Sequence, residues 1–481
     1  MKPGFHTFFI LLLITCCNRP AKGQSRTWPD SITVPASTKY AHPTFLRRLF
    51  IGRNYRKEWS TPVKLPVFEL GKLHGGFAIT DSGGGRQTNT LRLQDRNGKE
   101  WTLRSVDKDI EKSMIPGLRN TMVETLMQDL QSAIHPYAAL TVPVMARAMG
   151  IIVAEPRVYF VPDDTAFGQN RSTFANTVCL LEQREPTPDN SETKNTEKVL
   201  EKVTEETDHR LQQKTVLKAR LLDMLIGDWD RHEDQWRWGI NDSSGTKYYY
   251  PIPRDRDFVY FRSDGLFIEF ASRLFMPYMK GFTREPKGLR RLNAKIIDLD
   301  REWLNELNGD DWKSAIEFLR QRITDSVVYR AVKRIPPVVY NLSGPQIVSK
   351  IISRRDAFMK HAMDYYVFLA SHPVISGTDE NETFRISSND SGISVTVYHK
   401  EPGNKNKITY QRSFRHGETK KISIRGLGGN DQFNVDKDVL SSIKLYLEGG
   451  EGKDLYSLGG KIKTRVIDSN RAIARQTLAQ N

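Results

Sequence analysis

The chain has 481 residues, which is too long for one ordinary hydrophobic core, so two or three domains are expected. Its contents of 38% hydrophobic and 10% aromatic residues exclude an intrinsically disordered protein. The net charge of +15 favours an acidic partner, such as phosphate groups or an anionic membrane, although solubility explains the charge equally well. The basic residues are scattered and no nucleic-acid-binding module is recognisable, so nucleic acid is not an expected partner.

Residues 1–23 have the pattern of a secretory signal peptide, because the stretch MKPGFHTFFILLLITCCN has a basic start, a short apolar core and a polar end. The segment Leu13-Ile14-Thr15-Cys16 also resembles a bacterial lipobox, after which Cys16 or Cys17 would be acylated. An ordinary signal peptide cleaved near Gly23 is the alternative, and the residues do not decide between the two. The sequence therefore predicts an exported protein of the periplasm or outer membrane, lipid-anchored in the first alternative.

The next three segments differ in composition and in their pattern of apolar residues. Residues 24–65 are rich in proline and basic residues, which predicts an extended lead-in. Residues 66–185 alternate apolar and polar positions on both sides of Asn97-Gly98, a strong hairpin signal, before an apolar helix and two further strands. Residues 186–370 are mainly helical, and the helix predicted at Leu211–Ile226 ends directly before an Asp-rich stretch.

Residues 371–470 consist of short alternating strands separated by Gly, Asn and Asp, which predicts a small β-rich C-terminal domain before a tail at 471–481. The stretches GLGGNDQF and GGEGKDLY resemble the turns of calcium-binding β-rolls. They are 23 positions apart, whereas such rolls repeat about every nine residues, so a stacked roll is not expected. Asp431 and Asp454 are candidate Ca²⁺ ligands, but ordinary Gly-Asp turns between strands are the favoured interpretation.

Two acidic stretches, LLDMLIGDWDRHEDQWRWG and PIPRDRDFVY, are separated by a predicted hairpin whose turn is NDSSGT. The hairpin should bring Asp228, Asp230 and Gln235 close to Asp255 and Asp257 at one edge of a cleft. Clustered carboxylates repel each other unless a cation neutralises them, and an oxygen-rich cluster without cysteine suits Mg²⁺ or Mn²⁺. The alternative is an ion-paired loop, because the arginines at positions 231, 237, 254 and 256 are close enough in sequence to pair with every one of these acids.

The stretch IGDWDRHEDQW resembles the catalytic loop of the atypical protein-kinase-like superfamily, which includes phosphatidylinositol kinases, HipA-type kinases and CotH kinases. PIPRDRDF is similar to the metal-binding strand of those families. Residues from about 70 to 265 also resemble a kinase-like region of Gram-negative envelope proteins that carry a calcineurin-like phosphoesterase and an outer-membrane barrel. The resemblance implies an α+β fold: a bilobal protein-kinase-like domain, with an N-lobe at 66–185 and a helical C-lobe at 186–370, followed by the small β-rich C-terminal domain.

The resemblance also implies roles for single residues. Glycines in a strand turn would contact phosphates, a basic strand residue would bind phosphate and pair with a helix glutamate, and CLLEQRE would be the hinge that reads adenine. Asp230 would be the catalytic base or hydroxyl-orienting group, with His232 bracing its loop. The cofactor-binding candidates are Gly83, Gly84, Gly85, Arg104, Lys108 and Glu124, and the metal candidates are Asp255, Asp257, Gln235 and Asp228.

Two departures from the kinase pattern weaken the implied activity. Gln235 stands where kinases usually place a metal-binding Asn, and Arg104 stands where they place a Lys. The sequence therefore supports two functions: transfer of phosphate from ATP, with Mg²⁺ or Mn²⁺, to an envelope protein or other hydroxyl acceptor, or a non-catalytic, pseudokinase-like envelope scaffold. A metal-dependent phosphohydrolase is a weaker third reading, because the histidine-rich metal pattern of such enzymes is missing.

Overall fold

The computed structural model describes residues 28–83, 88–110, 117, 119, 121–262, 264–274, 276–279, 281–401 and 405–467. The predicted signal peptide with Cys16 and Cys17, the glycines Gly84 and Gly85, and the tail at 471–481 lie outside these residues. In the part of the chain that is described, no helix has both the length and the apolar character needed to cross a lipid bilayer.

The lead-in at 24–65 is folded rather than extended over much of its described length. It contains β1 (Ser31–Val34), α1 (Phe45–Phe50), α2 (Arg56–Ser60) and β2 (Val63–Pro66), and β1 pairs antiparallel with β2. Trp59 is buried and donates its indole N–H to the carbonyl oxygen of Ile134 at 2.8 Å. The expectation of an extended segment is wrong here because the aromatic side chains of Tyr40, Tyr55 and Trp59 bury enough apolar surface to fix it on the main core.

The N-lobe consists of short strands and helices, namely β3 (Phe77–Gly83), β4 (Thr90–Asp95), β5 (Glu100–Ser105), α3 (Met122–Asp129), α4 (Val142–Ala148), β6 (Arg157–Val161), α5 (Arg171–Phe174) and β7 (Thr177–Gln183). The strands form an antiparallel sheet in the order β3-β4-β5-β7-β6. Alternation along β4 and β5 determines the two faces of this sheet. Leu91, Leu93 and Leu103 are buried in the core behind it, and the side chains between them face the C-lobe.

The C-lobe is mainly helical, and its elements are β8 (Lys194–Asn195), α6 (Thr196–Glu205), β9 (His209–Leu211), α7 (Gln213–Ile226), β10 (Trp236–Ser243), β11 (Thr246–Pro253), α8 (Leu266–Leu274), α9 (Leu289–Leu292), α10 (Ile297–Trp303), α11 (Gly309–Arg322), α12 (Asp325–Val332), α13 (Pro337–Asp356) and α14 (Phe358–Ala370). Helix α7 is almost entirely buried from Val216 onwards, as its apolar sequence predicts. It ends at Gly227, whose φ of 74° is left-handed and therefore favours glycine. This reversal directs the Asp-rich loop at 228–235 away from the helix and into the space between the lobes.

The C-terminal domain is a short parallel β-solenoid that carries a long antiparallel hairpin. Its strands are β12 (Val374–Ser376), β13 (Glu382–Asn389), β14 (Gly392–Glu401), β15 (Lys405–Arg415), β16 (Lys421–Leu427), β17 (Gln432–Val435), β18 (Leu440–Gly450), β19 (Leu455–Leu458) and β20 (Lys461–Ile467). Parallel pairing joins β12, β16, β18 and β20 in one sheet and β13, β17 and β19 in the other. The rings of Phe384, Phe433 and Tyr456 stack along the second sheet at centroid distances of 4.8 and 5.0 Å.

The expectation that the two Gly-Asp turns do not stack is wrong. Phe433 and Tyr456 are register partners, so the 23-residue spacing is one full coil of this solenoid. The acid of each turn supports the neighbouring coil: Asp454 accepts the backbone N–H of Asp431 at 3.0 Å, and Asp431 accepts that of Glu382 at 2.9 Å. Both carboxylates are buried, and each accepts a backbone N–H group of the neighbouring coil, so the two turns have a structural role. The α+β fold class with a β-rich C-terminal domain is confirmed.

Candidate active site

A cavity of about 840 Å³ lies between the N-lobe sheet and the Asp-rich loop of the C-lobe. It brings together most of the residues that the sequence singles out. The candidates that line it are Arg104 and Lys108 from the N-lobe and Asp230, His232, Gln235 and Asp255 from the C-lobe. Asp257 lies at its edge, paired with Lys108.

The hairpin of β10 and β11 joins the two acidic stretches, as the sequence predicts. Its register pairs Trp236 with Pro253, so the loop that precedes β10 lies beside the residues that follow β11. The backbone N–H of Arg254 donates to the carbonyl oxygen of Gln235 at 2.9 Å and extends this pairing by one residue. Asp230 and Asp255 therefore reach the same cavity from the two ends of one hairpin.

Asp255 is held by a buried cation. Its φ of 55° is left-handed, and its Oδ1 lies 2.7 Å from Nη1 of Arg104. Nη2 of the same guanidinium lies 2.9 Å from Oε1 of Glu182 on β7. Burial opposes the ionisation of Asp255, but Arg104 and then Lys108 outweigh it and hold the pKa of this carboxyl well below its usual range.

The pKa of Asp257 is shifted in the opposite direction to that of Asp255. Its Oδ2 lies 3.2 Å from Nζ of Lys108, which also stands 4.5 Å from the centre of the Phe258 ring. Burial, and next the charge of Asp255, raise the pKa of Asp257 to about 6. Two carboxylates that repel each other in this way, with one kept ionised, fit a divalent cation that both could ligate.

Asp230 is anchored by a lysine from a distant part of the chain. Nζ of Lys295 donates to Oδ1 of Asp230 at 2.5 Å, and the same ammonium stands 4.8 Å and 4.7 Å from the ring centres of Trp229 and Tyr278. The pair is in the cavity wall rather than in bulk solvent. Asp230 is therefore oriented for use as a proton acceptor or as the group that orients a hydroxyl.

Asp228 and Gln235 do not fit the metal roles that the resemblance implies. Asp228 does not line the cavity, because its side chain turns into the lobe, where Oδ2 lies 3.7 Å from Nη1 of Arg231. Burial raises the pKa of Asp228 to about 7. Gln235 lines the cavity, but its side-chain oxygen accepts a hydrogen bond from Arg231 at 2.9 Å, and its amide nitrogen lies 3.5 Å from Oδ2 of Asp230. Gln235 therefore braces the loop at 228–235.

The loop rests on a buried ionic network, so the alternative of an ion-paired loop is correct for part of the set. Arg231 and Arg256 both pair with Asp223 of α7, which Arg220 also contacts at 2.9 Å. These residues are fully or almost fully buried. They hold the loop and the start of the segment after β11 in one arrangement and leave Asp230 and Asp255 for the cavity.

The remaining candidates contribute less than the resemblance implies. Glu124 on α3 is half-buried, and the carboxylate partners of Arg104 are Glu182 and Asp255 instead. Nδ1 of His232 faces Oδ2 of Asp234 at 3.7 Å on the exposed side of the loop. Gly83 ends β3, while Gly84 and Gly85 lie outside the described residues.

Sequence reasoning missed the place of three residues in the cavity region: Glu182 beside Arg104, and Arg254 and Lys295 in the cavity lining. Glu182 stands within CLLEQRE, and its place beside Arg104 follows from the pairing of β5 with β7. Lys295 belongs to no motif and lies 65 residues beyond its partner, so no sequence signal marks it.

No protein-family model and no curated protein matches this chain. Among solved structures, it is similar to the proinflammatory kinase CtkA of Helicobacter pylori, at 14% identity, over 60% of this chain and 96% of that one, with a TM-score of 0.33. It is also similar to the Rio2 kinase of Chaetomium thermophilum, at 13% identity, over 51% and 70%, with a TM-score of 0.22. A third similar structure is a Golgi casein kinase, at 12% identity, over 70% and 84%, with a TM-score of 0.27.

These neighbours are kinases, but at such low identities and TM-scores they assign no role to any residue of this chain. The order of this chain's own elements is the one that the kinase resemblance implies: a sheet with a basic strand, a helix, a further strand, an acidic loop, and a hairpin that ends in a second acidic stretch.

Proposed function

We propose that this protein is a kinase-like phosphotransferase, which uses a nucleoside triphosphate to phosphorylate a hydroxyl group. One observation carries the proposal: Asp230 and Asp255 reach a single cavity that Arg104 and Lys108 also line. Carboxylates that hold a cation, together with basic groups that hold phosphates, are the parts that phosphoryl transfer requires.

The donor set fits Mg²⁺ or Mn²⁺, because Asp255 and Asp257 offer carboxylate oxygens and the described residues that line the cavity include no cysteine or methionine. Such a cation, when bound, neutralises the charge that develops on the transferred phosphoryl group. Asp230 would accept the proton of the acceptor hydroxyl, and Lys295 would keep its carboxylate in position. Arg104 and Lys108 would bind phosphate oxygens.

The test is transfer of labelled phosphate from ATP by residues 24–481, with Mg²⁺ or Mn²⁺. Asp230→Asn and Asp255→Asn remove one charge each at nearly constant volume, and Asp438→Asn, on an exposed residue of the C-terminal domain, is the matched control. We expect label transfer by the wild type and the control and its loss in both site variants. Transfer that survives in both site variants would refute the assignment.

A non-catalytic scaffold is the second candidate, and one observation favours it. Asp230, Asp255 and Asp257 each have an internal ionic partner, and the side chain of Gln235 is engaged by Arg231. A site that is neutralised internally can persist without catalysis. Failure of any nucleotide with Mg²⁺ to raise the melting temperature, together with absence of transfer, would support this candidate.

Export to the periplasm or outer membrane, with a lipid anchor at Cys16 or Cys17, is part of the proposal and rests on the leader sequence alone. An envelope protein is accordingly the proposed acceptor. Metabolic labelling with a fatty-acid analogue in a bacterial host should mark the full chain, and Cys16→Ala or Cys17→Ala should abolish the label. Label that is retained in the double variant would exclude the anchor.

A further inference from the structure

A second cavity of about 870 Å³ adjoins this one, on the side of Arg184 at the end of β7. Arg254, together with Thr90, Arg92 and Thr102, lines both cavities and marks the place where they join. The backbone of Arg254 is fixed, since its N–H donates to Gln235 and its carbonyl oxygen accepts from Arg231 at 2.7 Å. Its side chain leaves this fixed backbone and enters the cleft.

Arg254 differs from the neighbouring arginines in having no internal partner. Arg104 pairs with Glu182 and Asp255, Arg184 with Glu100, and Arg237 with Glu185. The guanidinium of Arg254, by contrast, makes no hydrogen bond or ion pair with any residue that the structure describes. A cation that is largely removed from water without a partner costs free energy, and proteins normally pair such a group or bind an anion to it.

The cations around Arg254 also favour the binding of an anion beside it. Arg104 lines the first cavity together with Arg254, and Arg184 and Arg237 line the second cavity together with it. Of the acids near this junction, Asp234 also lines both cavities but is strongly exposed, and Glu182 is occupied by Arg104. Of the charged residues that line both cavities, Arg92 pairs with Asp81 and Asp234 faces His232, which leaves Arg254 without an ionic partner among the described residues.

The strands beside Arg254 supply further hydrogen-bond donors to the cleft. Because Leu91, Leu93 and Leu103 face the core behind the sheet, the positions between them present Thr90, Arg92 and Thr102 to the cleft. Neither threonine hydroxyl bonds to another described residue, and the Arg92 pair with Asp81 is half-exposed. Small-molecule pockets that hold a flat base are mostly lined by apolar side chains, whereas these strands offer hydroxyl and guanidinium donors.

We propose that Arg254, with the hydroxyls of Thr90 and Thr102, forms a binding site for a phosphate group of the ligand. The site deepens the proposed function and rests on it for the identity of the ligand, because the phosphate could belong to a nucleoside triphosphate or to a phosphorylated small molecule. In both cases the guanidinium gives two parallel N–H donors to one phosphate, and the phosphate neutralises an otherwise uncompensated charge.

Titration calorimetry in EDTA tests the site without metal and without any transfer step. The probes are tripolyphosphate, ATP, adenosine and inositol hexakisphosphate, and the variants are Arg254→Gln, Arg254→Lys and, as the matched control, Arg157→Gln on the exposed face of β6. We expect Arg254→Gln to weaken tripolyphosphate binding by about tenfold or more, Arg254→Lys to weaken it less, and the control to leave it unchanged.

The probes separate the two sources. ATP binding that depends on Arg254, with adenosine binding that does not, assigns the phosphate to a nucleotide. Inositol hexakisphosphate binding that depends on Arg254, with no binding of ATP, supports the phosphate site but removes the nucleotide-driven function. Tripolyphosphate that fails to bind the wild type, or that binds Arg254→Gln equally well, overturns the inference.

The melting temperature gives an independent test, because a structural role of Arg254 predicts the opposite change. Since the unpaired guanidinium costs free energy, Arg254→Gln should melt at the same temperature as the wild type or higher. A melting temperature several degrees lower would show that Arg254 supports the fold, and this would also overturn the inference.

Discussion

Replacing Asp431 by asparagine should stabilise the C-terminal domain at pH 8 and leave it almost unchanged near pH 4. The carboxyl group is fully buried between two coils of the solenoid, where its Oδ1 accepts the backbone N–H of Glu382. Burial, and after it the charge of Asp454, raise the pKa of Asp431 to about 7, and the bond from Glu382 opposes this rise. The native state therefore keeps a proton that the unfolded state has already lost.

The sign and the size of the change in unfolding free energy follow from this difference in proton binding. Between about pH 4 and 7 the native state binds more protons than the unfolded state, so the free energy of unfolding falls as the pH rises. Each unit of pKa difference corresponds to about 1.4 kcal/mol, so the full penalty above pH 7 is on the order of 4 kcal/mol. Asparagine keeps the acceptor for Glu382 and does not titrate, so its stabilisation should grow from about zero to at most this value.

Hydrogen exchange of the whole protein, followed by mass spectrometry at pH 5, 6.5 and 8 and corrected for the intrinsic exchange rate, measures the effect in peptides that cover β17 and β19. Asp438→Asn is the control, because Asp438 is exposed at the end of the same coil. Asp431→Asn should increase protection at all three pH values, least at pH 5 and most at pH 8. An equal gain at all three pH values, or a loss at pH 8, would refute the reasoning.

Three further predictions concern the site and the solenoid. Lys295→Met should lower kcat in the labelled-phosphate assay by about ten- to a hundredfold, because it removes a charge-assisted hydrogen bond to Asp230. Its Mg²⁺ affinity should change little, and Lys295→Arg should restore part of kcat. Mg²⁺ affinity, measured by calorimetry from pH 5 to 8, should fall as the pH drops through about 6, because Asp257 then becomes protonated, and Asp257→Asn should remove this dependence. Gly426→Ala should reduce hydrogen-exchange protection of β16, because its Cβ would collide with Oδ2 of Asp431 and the carbonyl oxygen of Gly449, whereas Gly417→Ala, with open space around its Cα, should not.

The sequence was sufficient to predict the convergence of Asp230 and Asp255, because a short hairpin joins them and hairpin pairing is a local property. Alternation likewise identified the two faces of β4 and β5. The partners of the site cations could not be predicted in the same way. Glu182 reaches Arg104 through the pairing of two strands that are separated by α3, α4, β6 and α5, and no local pattern determines that register.

The solenoid shows a different limit. Its 23-residue coil is visible between Phe433 and Tyr456, but the preceding coil is interrupted by the hairpin of β14 and β15, so Phe384 lies 49 residues before Phe433. An inserted hairpin removes the regular period that sequence reasoning needs to recognise stacking. The stacked aromatic rings and the ladder of acids become apparent only when the insertion is set aside.

The cations of the cleft fall into two groups, and the division has a consequence for ligand binding. Arg104, Lys108 and Lys295 are each tied to a carboxylate of the site, so a divalent cation that binds Asp255 and Asp257 must compete with Arg104 and Lys108. A phosphate that accepts the released guanidinium and ammonium offsets this cost, and therefore metal and phosphate should each bind weakly alone and more tightly together. Arg254 takes no part in this competition, because its guanidinium forms no ion pair with any described side chain. A phosphate can therefore bind to it before any ion pair of the site is broken.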